Sequence, residues 1–122
     1  MATEWTRSPL LMNRESTALI VIDVQQKLLP AMRVPELLLE KIRLITAAAA
    51  VLNISQIFTE QYPRGLGPTV GELRGSSHPI HEKTMFSCRE CGDLAKQLAA
   101  SNIRHVLLAG IETHVCVAQS AA

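Results

Sequence analysis

The sequence predicts an α/β fold, a mostly parallel sheet flanked by helices. Three observations predict it. "ALIVIDV", Ala18 to Val24, is an unbroken apolar, β-branched run, as expected of a strand buried on both faces. From Pro35 the period changes: Leu38, Ile42, Ile45, Ala49 and Leu52 recur at three- and four-residue steps, which marks an amphipathic helix. Strand-like and helix-like stretches then keep alternating to the end of the chain, the pattern of a parallel sheet with helical crossovers.

Each element has a local reason. Pro35 suits a first helical turn, where its missing N–H costs nothing. "ISQIFTEQ", Ile54 to Gln61, reads as a second strand. "YPRGLGPTVGELRGSSHP", Tyr62 to Pro79, is rich in Gly and Pro and reads as a long surface loop. Its "GLGPTVG" lacks the Lys-Ser/Thr of a phosphate loop and reads as a flexible edge of a pocket. "IHEK", Ile80 to Lys83, is a short strand. A helix follows from about Asp93 to Ser101, with Leu94 and Leu98 one turn apart and Asn102 as its stop. "RHVLLAG" is the last strand, ending near Gly110, and Thr113 is the expected N-cap of a final helix. No internal repeat is present.

Composition narrows the function classes. A length of 122 residues fits one domain, with residues 1–16 as an N-terminal extension and 17–122 as the domain. Lysine and arginine number 12 against 11 acidic residues, without a basic stripe, so nucleic acid is disfavoured as a partner. No apolar run is long enough to cross a membrane, and the first residues lack the core of a secretory signal. Cys88, Cys91 and Cys116 make an odd count, which argues for a reducing compartment and a cytoplasmic location. Arg7, Ser8, Arg14 and Ser16 are compatible with organellar import.

In open α/β sheets ligands bind beyond the carboxyl ends of the strands. Asp23, Lys83 and Cys116 all follow predicted strands there. Asp23 reads either as a turn-capping aspartate or as a partly buried carboxylate that needs a partner. Lys83 reads as a solvated lysine unless it lies beside Asp23. Cys116 would be the third residue of a helix capped by Thr113, where free N–H groups and the helix dipole would lower the thiol pKa from about 8.5. The competing reading is an inert, packed cysteine. His114 lies two residues from Cys116, on another side of a helix, and is a poor candidate for a direct base. His78, His81, Cys88 and Cys91 form H-x2-H and C-x2-C pairs that could supply a zinc set, in an unusual order and only six residues apart.

Together "ALIVIDVQQKLLP", "FTEQYPRGLGPTVGEL", "EKTMFSC" and "LLAGIETHVCV" resemble the isochorismatase-like cysteine hydrolases, and are most similar to the isochorismatase-domain-containing subgroup. The resemblance implies a three-layer, Rossmann-like fold and a catalytic triad of Asp23, Lys83 and Cys116. It further implies an oxyanion hole from the backbone N–H groups of Glu112 and Cys116, and a cis peptide bond between Ile111 and Glu112. Gln61, Tyr62 and His114 become candidates for lining the substrate pocket. No metal or cofactor is expected. Gln61 stands near the place of a metal-binding aspartate in the nicotinamidases, and no histidine follows it. The implied activity is hydrolysis of a small carboxamide through a thioester, because true isochorismatases lack the nucleophilic cysteine. Homo-oligomers are also implied. Relatives continue past the cysteine helix, so the chain is expected to be incomplete at its C-terminus and to lack its last strands. Two other readings stand beside this one. One is a truncated, weakly active or inactive relative acting as a binding or oligomerisation module. The other is a small zinc-stabilised domain.

Overall fold

The computed structural model describes residues 6–74 and 78–122; residues 75–77 of the predicted long loop, and 1–5 of the extension, lie outside the described residues. Four strands form one parallel sheet: β1 (Thr17–Ile22), β2 (Ser55–Gln61), β3 (Ile80–Lys83) and β4 (His105–Gly110), in the order β3-β2-β1-β4. Every residue of β1 is buried, because this strand has neighbours on both sides and cover on both faces. Ala18 pairs with Ser55 on one side and with Val106 on the other.

Alternation along β1 sorts its side chains into two layers. Leu19 and Val21 pack with Ile42 and Ala49 of helix α1 (Pro35–Val51) and with Phe58 and Leu73. Ile20 and Ile22 face the other way, onto Ile57, Cys88, Cys116 and Leu94 of helix α3 (Gly92–Ala100). The result is three layers, helix–sheet–helix, as predicted. Helix α1 starts on Pro35 and α3 is followed by Asn102, both as expected. Asn102 adopts φ 54, and the Ile103 N–H closes back on the Leu98 carbonyl at 3.2 Å. Asn53 ends α1 in the same way, with φ 55 and an Ile54 N–H to Ala49 carbonyl bond of 2.9 Å.

The stretch after β2 differs from the expected flexible edge. A one-turn helix α2 (Pro63–Leu66) and a 3-10 turn (Gly71–Leu73) interrupt it. Residues 66–70 are stitched to the segment after β1: the N–H groups of Gln26, Lys27 and Val70 bond to the carbonyls of Pro68, Leu66 and Val24 at 2.9–3.0 Å. Gln25, fully buried, adds Nε2 bonds to the carbonyls of Gln61 and Gly67 and accepts the Gln61 N–H. Backbone groups so paired leave little freedom to the loop. Among the described residues no helix is long and apolar enough to cross a membrane.

Candidate active site

Strand order reverses between β1 and β4. β1, β2 and β3 run outward in one direction, and β4 returns to the other side of β1. Such a switch point leaves a crevice beyond the carboxyl ends of the two strands that flank it, β1 and β4. Asp23 follows β1 there, and the segment bearing Cys116 follows β4.

Asp23 leaves the strand at φ 55, a left-handed conformation that Asp tolerates better than most residues. The turn points its carboxylate into the protein, where Asp23 is 1% exposed. Lys83, the last residue of β3, reaches across β2 and donates from Nζ to Asp23 Oδ2 at 2.7 Å. Both side chains are almost wholly removed from water, so each charge depends on the other. Lys83 Nζ also faces Gln61 Oε1 at 2.9 Å and the carbonyls of Met85 and Phe86 at 3.0 and 3.1 Å. Thr59 Oγ1 donates to Asp23 Oδ1 at 2.8 Å.

Cys116 does not sit in the first turn of an α-helix. Thr113–Val117 form a π-helical turn that runs into the short helix α4 (Ala118–Ala121), and Glu112 rather than Thr113 precedes it, without a side-chain cap. The Glu112 carbonyl accepts from both Val115 and Val117, at 3.1 and 3.2 Å, which widens the turn. Gly110 permits the close packing beneath it: a Cβ there would lie 2.7 Å from Val117 Cγ2 and 2.9 Å from the Ile22 carbonyl oxygen. Ser120 fastens the far side, donating to the Cys116 carbonyl at 2.7 Å and accepting the Cys88 N–H at 3.0 Å.

The electrostatics of the thiol reverse the sequence expectation. Burial, then the hydrogen bond to the Asp23 carboxylate and its charge, push Cys116 from 9.0 up to about 12, against a smaller downward pull from Lys83. Proximity to N–H groups at a helix start was expected to favour thiolate. A dry site beside a carboxylate outweighs that effect, so the resting group is a thiol.

The predicted cis bond is likewise absent: among the described residues every peptide bond is trans, including Ile111–Glu112. Trans is the ground state of a non-proline bond, and the Glu112 carbonyl closes the turn without isomerisation.

Of the pocket candidates, Gln61 holds Lys83 and donates from Nε2 to the Thr84 carbonyl at 3.0 Å. Tyr62, exposed and at φ 38, lines a cavity of about 450 Å³ with Pro63, Arg64, Lys83, Met85 and Cys91. His114 is solvent-exposed on the π-helical turn. The proposed zinc ligands have other partners. His78 stacks on Phe58 at 5.9 Å, His81 Nε2 lies 3.0 Å from Gln97 Oε1, and Cys88 is buried in the core. No group of three or more His, Cys, Asp or Glu among the described residues is placed to hold a metal ion. Thr59 and Gly110 are the site-forming residues that sequence reasoning passed over. Thr59 looks like any β-branched strand residue, and only the burial of its hydroxyl beside Asp23 marks it.

The isochorismatase domain family matches residues 17–122. Isochorismatase domain-containing protein 2 of Danio rerio is 34% identical over 110 residues, covering 90% of this chain and 56% of the relative. The structure of the MAR1 ribonuclease from Caenorhabditis elegans superposes with a TM-score of 0.77 at 37% identity, over 89% of this chain and 57% of that one. The octameric Escherichia coli YcaC gene product, a hydrolase of unknown specificity, shares the fold with a TM-score of 0.85 at 24% identity, over 95% of this chain and 60% of its own. The chain thus spans about half the length of the curated relatives it matches.

Proposed function

The chain belongs to the isochorismatase family, and from that premise we propose that it acts as a cysteine-dependent hydrolase, cleaving the C–N bond of a small carboxamide through a thioester on Cys116. The observation that carries this reading is the buried Asp23–Lys83 ion pair at 2.7 Å, with the buried Cys116 thiol close enough for the Asp23 carboxylate to raise its pKa.

The chemistry follows from that arrangement. As the sulfur attacks the carbonyl carbon, its proton passes to the Asp23 carboxylate, so no free thiolate need accumulate. The backbone N–H groups of Glu112 and Cys116 receive the oxyanion. Collapse breaks the C–N bond, and the proton on Asp23 leaves with the amine. Asp23 then takes a proton from water, which attacks the thioester. Collapse of the second intermediate returns that proton to sulfur and releases the acid. Lys83 holds the Asp23 side chain in place throughout. Gln61, Tyr62 and His114 are proposed to shape the pocket, and self-association belongs to the same reading.

Release of ammonia from a panel of small primary amides tests it. Cys116→Ala should abolish the release; an undiminished rate would remove the thioester route. A second reading, phosphodiester cleavage, is favoured by the 37% identity to the MAR1 ribonuclease. Cleavage of a labelled RNA oligonucleotide separates the two, and the near-neutral charge of this chain favours the amide.

A further inference from the structure

In the reading above, Asp23 must present one lone pair to the Cys116 thiol while its charge is held by Lys83. Nothing in the main chain guarantees that orientation. Asp23 sits past the end of β1 at φ 55, so strand alternation does not aim its side chain. The final torsion of an aspartate is broad and nearly two-fold. An ammonium is a compact point charge with rotatable donors, able to serve either carboxylate oxygen. Lys83 alone therefore leaves the carboxylate plane undetermined.

Thr59 removes that freedom. It is 1% exposed, on β2, opposite Ile22 in the register. Its carbonyl accepts the Asp23 N–H at 3.2 Å, and its hydroxyl donates to Asp23 Oδ1 at 2.8 Å. One residue thus grips the aspartate at both main chain and carboxylate. A hydroxyl has a single proton, and committing it to Oδ1 leaves Oδ2 for Lys83 at 2.7 Å. The two oxygens cease to be interchangeable.

We propose that Thr59 is a positioning residue for proton transfer, fixing the rotation of the Asp23 carboxylate so that its remaining lone pair faces the Cys116 thiol. This rests on the cysteine-hydrolase reading. A buried threonine whose hydroxyl is merely satisfied would influence stability alone; a positioning hydroxyl influences turnover and is replaced only by another hydroxyl.

The test uses the full chain and p-nitrophenyl acetate as an acyl probe, with the rate of Cys116→Ala subtracted. Thr59→Val keeps the β-branched shape and removes the hydroxyl. Its kcat should fall about 10- to 100-fold, the usual worth of a hydrogen bond to a charged group, with KM changed less than about twofold. Thr59→Ser should recover kcat to within about threefold of the parent. Folded fractions are checked by circular dichroism, and Thr59→Ala replaces the valine variant if that one does not fold. An unchanged kcat per folded molecule, a loss expressed in KM, or a serine variant no better than valine would overturn the proposal while Cys116 remains essential. If Cys116→Ala is as active as the parent, the hydrolase reading falls and the proposal with it.

Discussion

Replacing Asp23 by asparagine should make Cys116 more reactive toward an alkylating agent and the protein a worse hydrolase at the same time. The thiol is held at about 12 instead of 9.0 by burial first, then by the Asp23 hydrogen bond and charge. Asparagine keeps the burial and removes the carboxylate's charge. It also frees the Lys83 ammonium to stabilise a thiolate. The interval from 9.0 to about 12 corresponds to roughly a thousandfold in thiolate fraction. If the carboxylate accounts for a third to a half of it, thiolate rises about 10- to 30-fold. Nucleophilicity falls as a thiol becomes more acidic, so alkylation should rise by about 3- to 8-fold. The fold should survive at reduced stability: the ammonium loses its counter-charge, but Lys83 Nζ keeps three acceptors for its three protons, Gln61 Oε1 and the carbonyls of Met85 and Phe86. Iodoacetamide labelling at pH 7.5, read for each cysteine by peptide mass spectrometry, measures the effect, with the partly exposed Cys91 as internal reference. Amide hydrolysis in the same preparation should drop at least 100-fold, the low end of what a general base contributes. A folded Asp23→Asn protein in which Cys116 labels no faster would refute the reasoning, because the carboxylate would then not be what holds the thiol proton.

Three further outcomes follow from the same geometry. Lys83→Met strands a buried carboxylate and should cost about 3–5 kcal/mol in urea unfolding, whereas Asp23→Asn combined with Lys83→Met should recover much of that; a loss below about 1 kcal/mol would mean the pair is solvated. Gly110→Ala drives a methyl group into Val117 and the Ile22 carbonyl, so it should destabilise by about 1–3 kcal/mol and lower turnover more than affinity; wild-type kinetics in a crystallised variant would show that the turn tolerates the displacement. Between pH 9 and about 12 the folded chain keeps the Cys116 proton that the unfolded chain has released, so stability falls as pH rises through that window. Cys116→Ala should remove that part of the alkaline slope, and an identical slope in both proteins would contradict it.

Much of this molecule was legible in its residues. An apolar, β-branched run reads as a strand buried on both faces, and the burial of all six residues of β1 agrees with that. The helix after Pro35 and the stop at Asn102 rest on backbone preferences that tertiary packing had no reason to override. The rule that ligands gather beyond strand ends offered Asp23, Lys83 and Cys116 as candidates, and the structure pairs the first two at 2.7 Å. What could not be read depended on neighbours distant in sequence. Thr59 becomes notable only through the carboxylate opposite it, and Gly110 only through the side chain of Val117. The direction of the Cys116 shift was misjudged because local helix reasoning weighs N–H groups and dipole, while desolvation and a carboxylate 93 residues upstream are invisible to it. The widened turn at Thr113–Val117 has the same origin, since the spacing alone suits an ordinary α-helical start.

The strand order also bears on how the chain folds. β4 bypasses its predecessor β3 and pairs with β1, so Thr17 meets His105 across most of the sequence. Closing so long a loop costs entropy before any contact repays it, and such pairings are slow. Local helices and the β1–β2 ladder can form earlier, but Cys116 cannot come beside Asp23 until β4 has docked. The proposed catalytic arrangement is thus a late product of folding. Partly folded chains would carry three ordinary thiols, and kinetic competition between strand docking and thiol modification becomes a property of this topology.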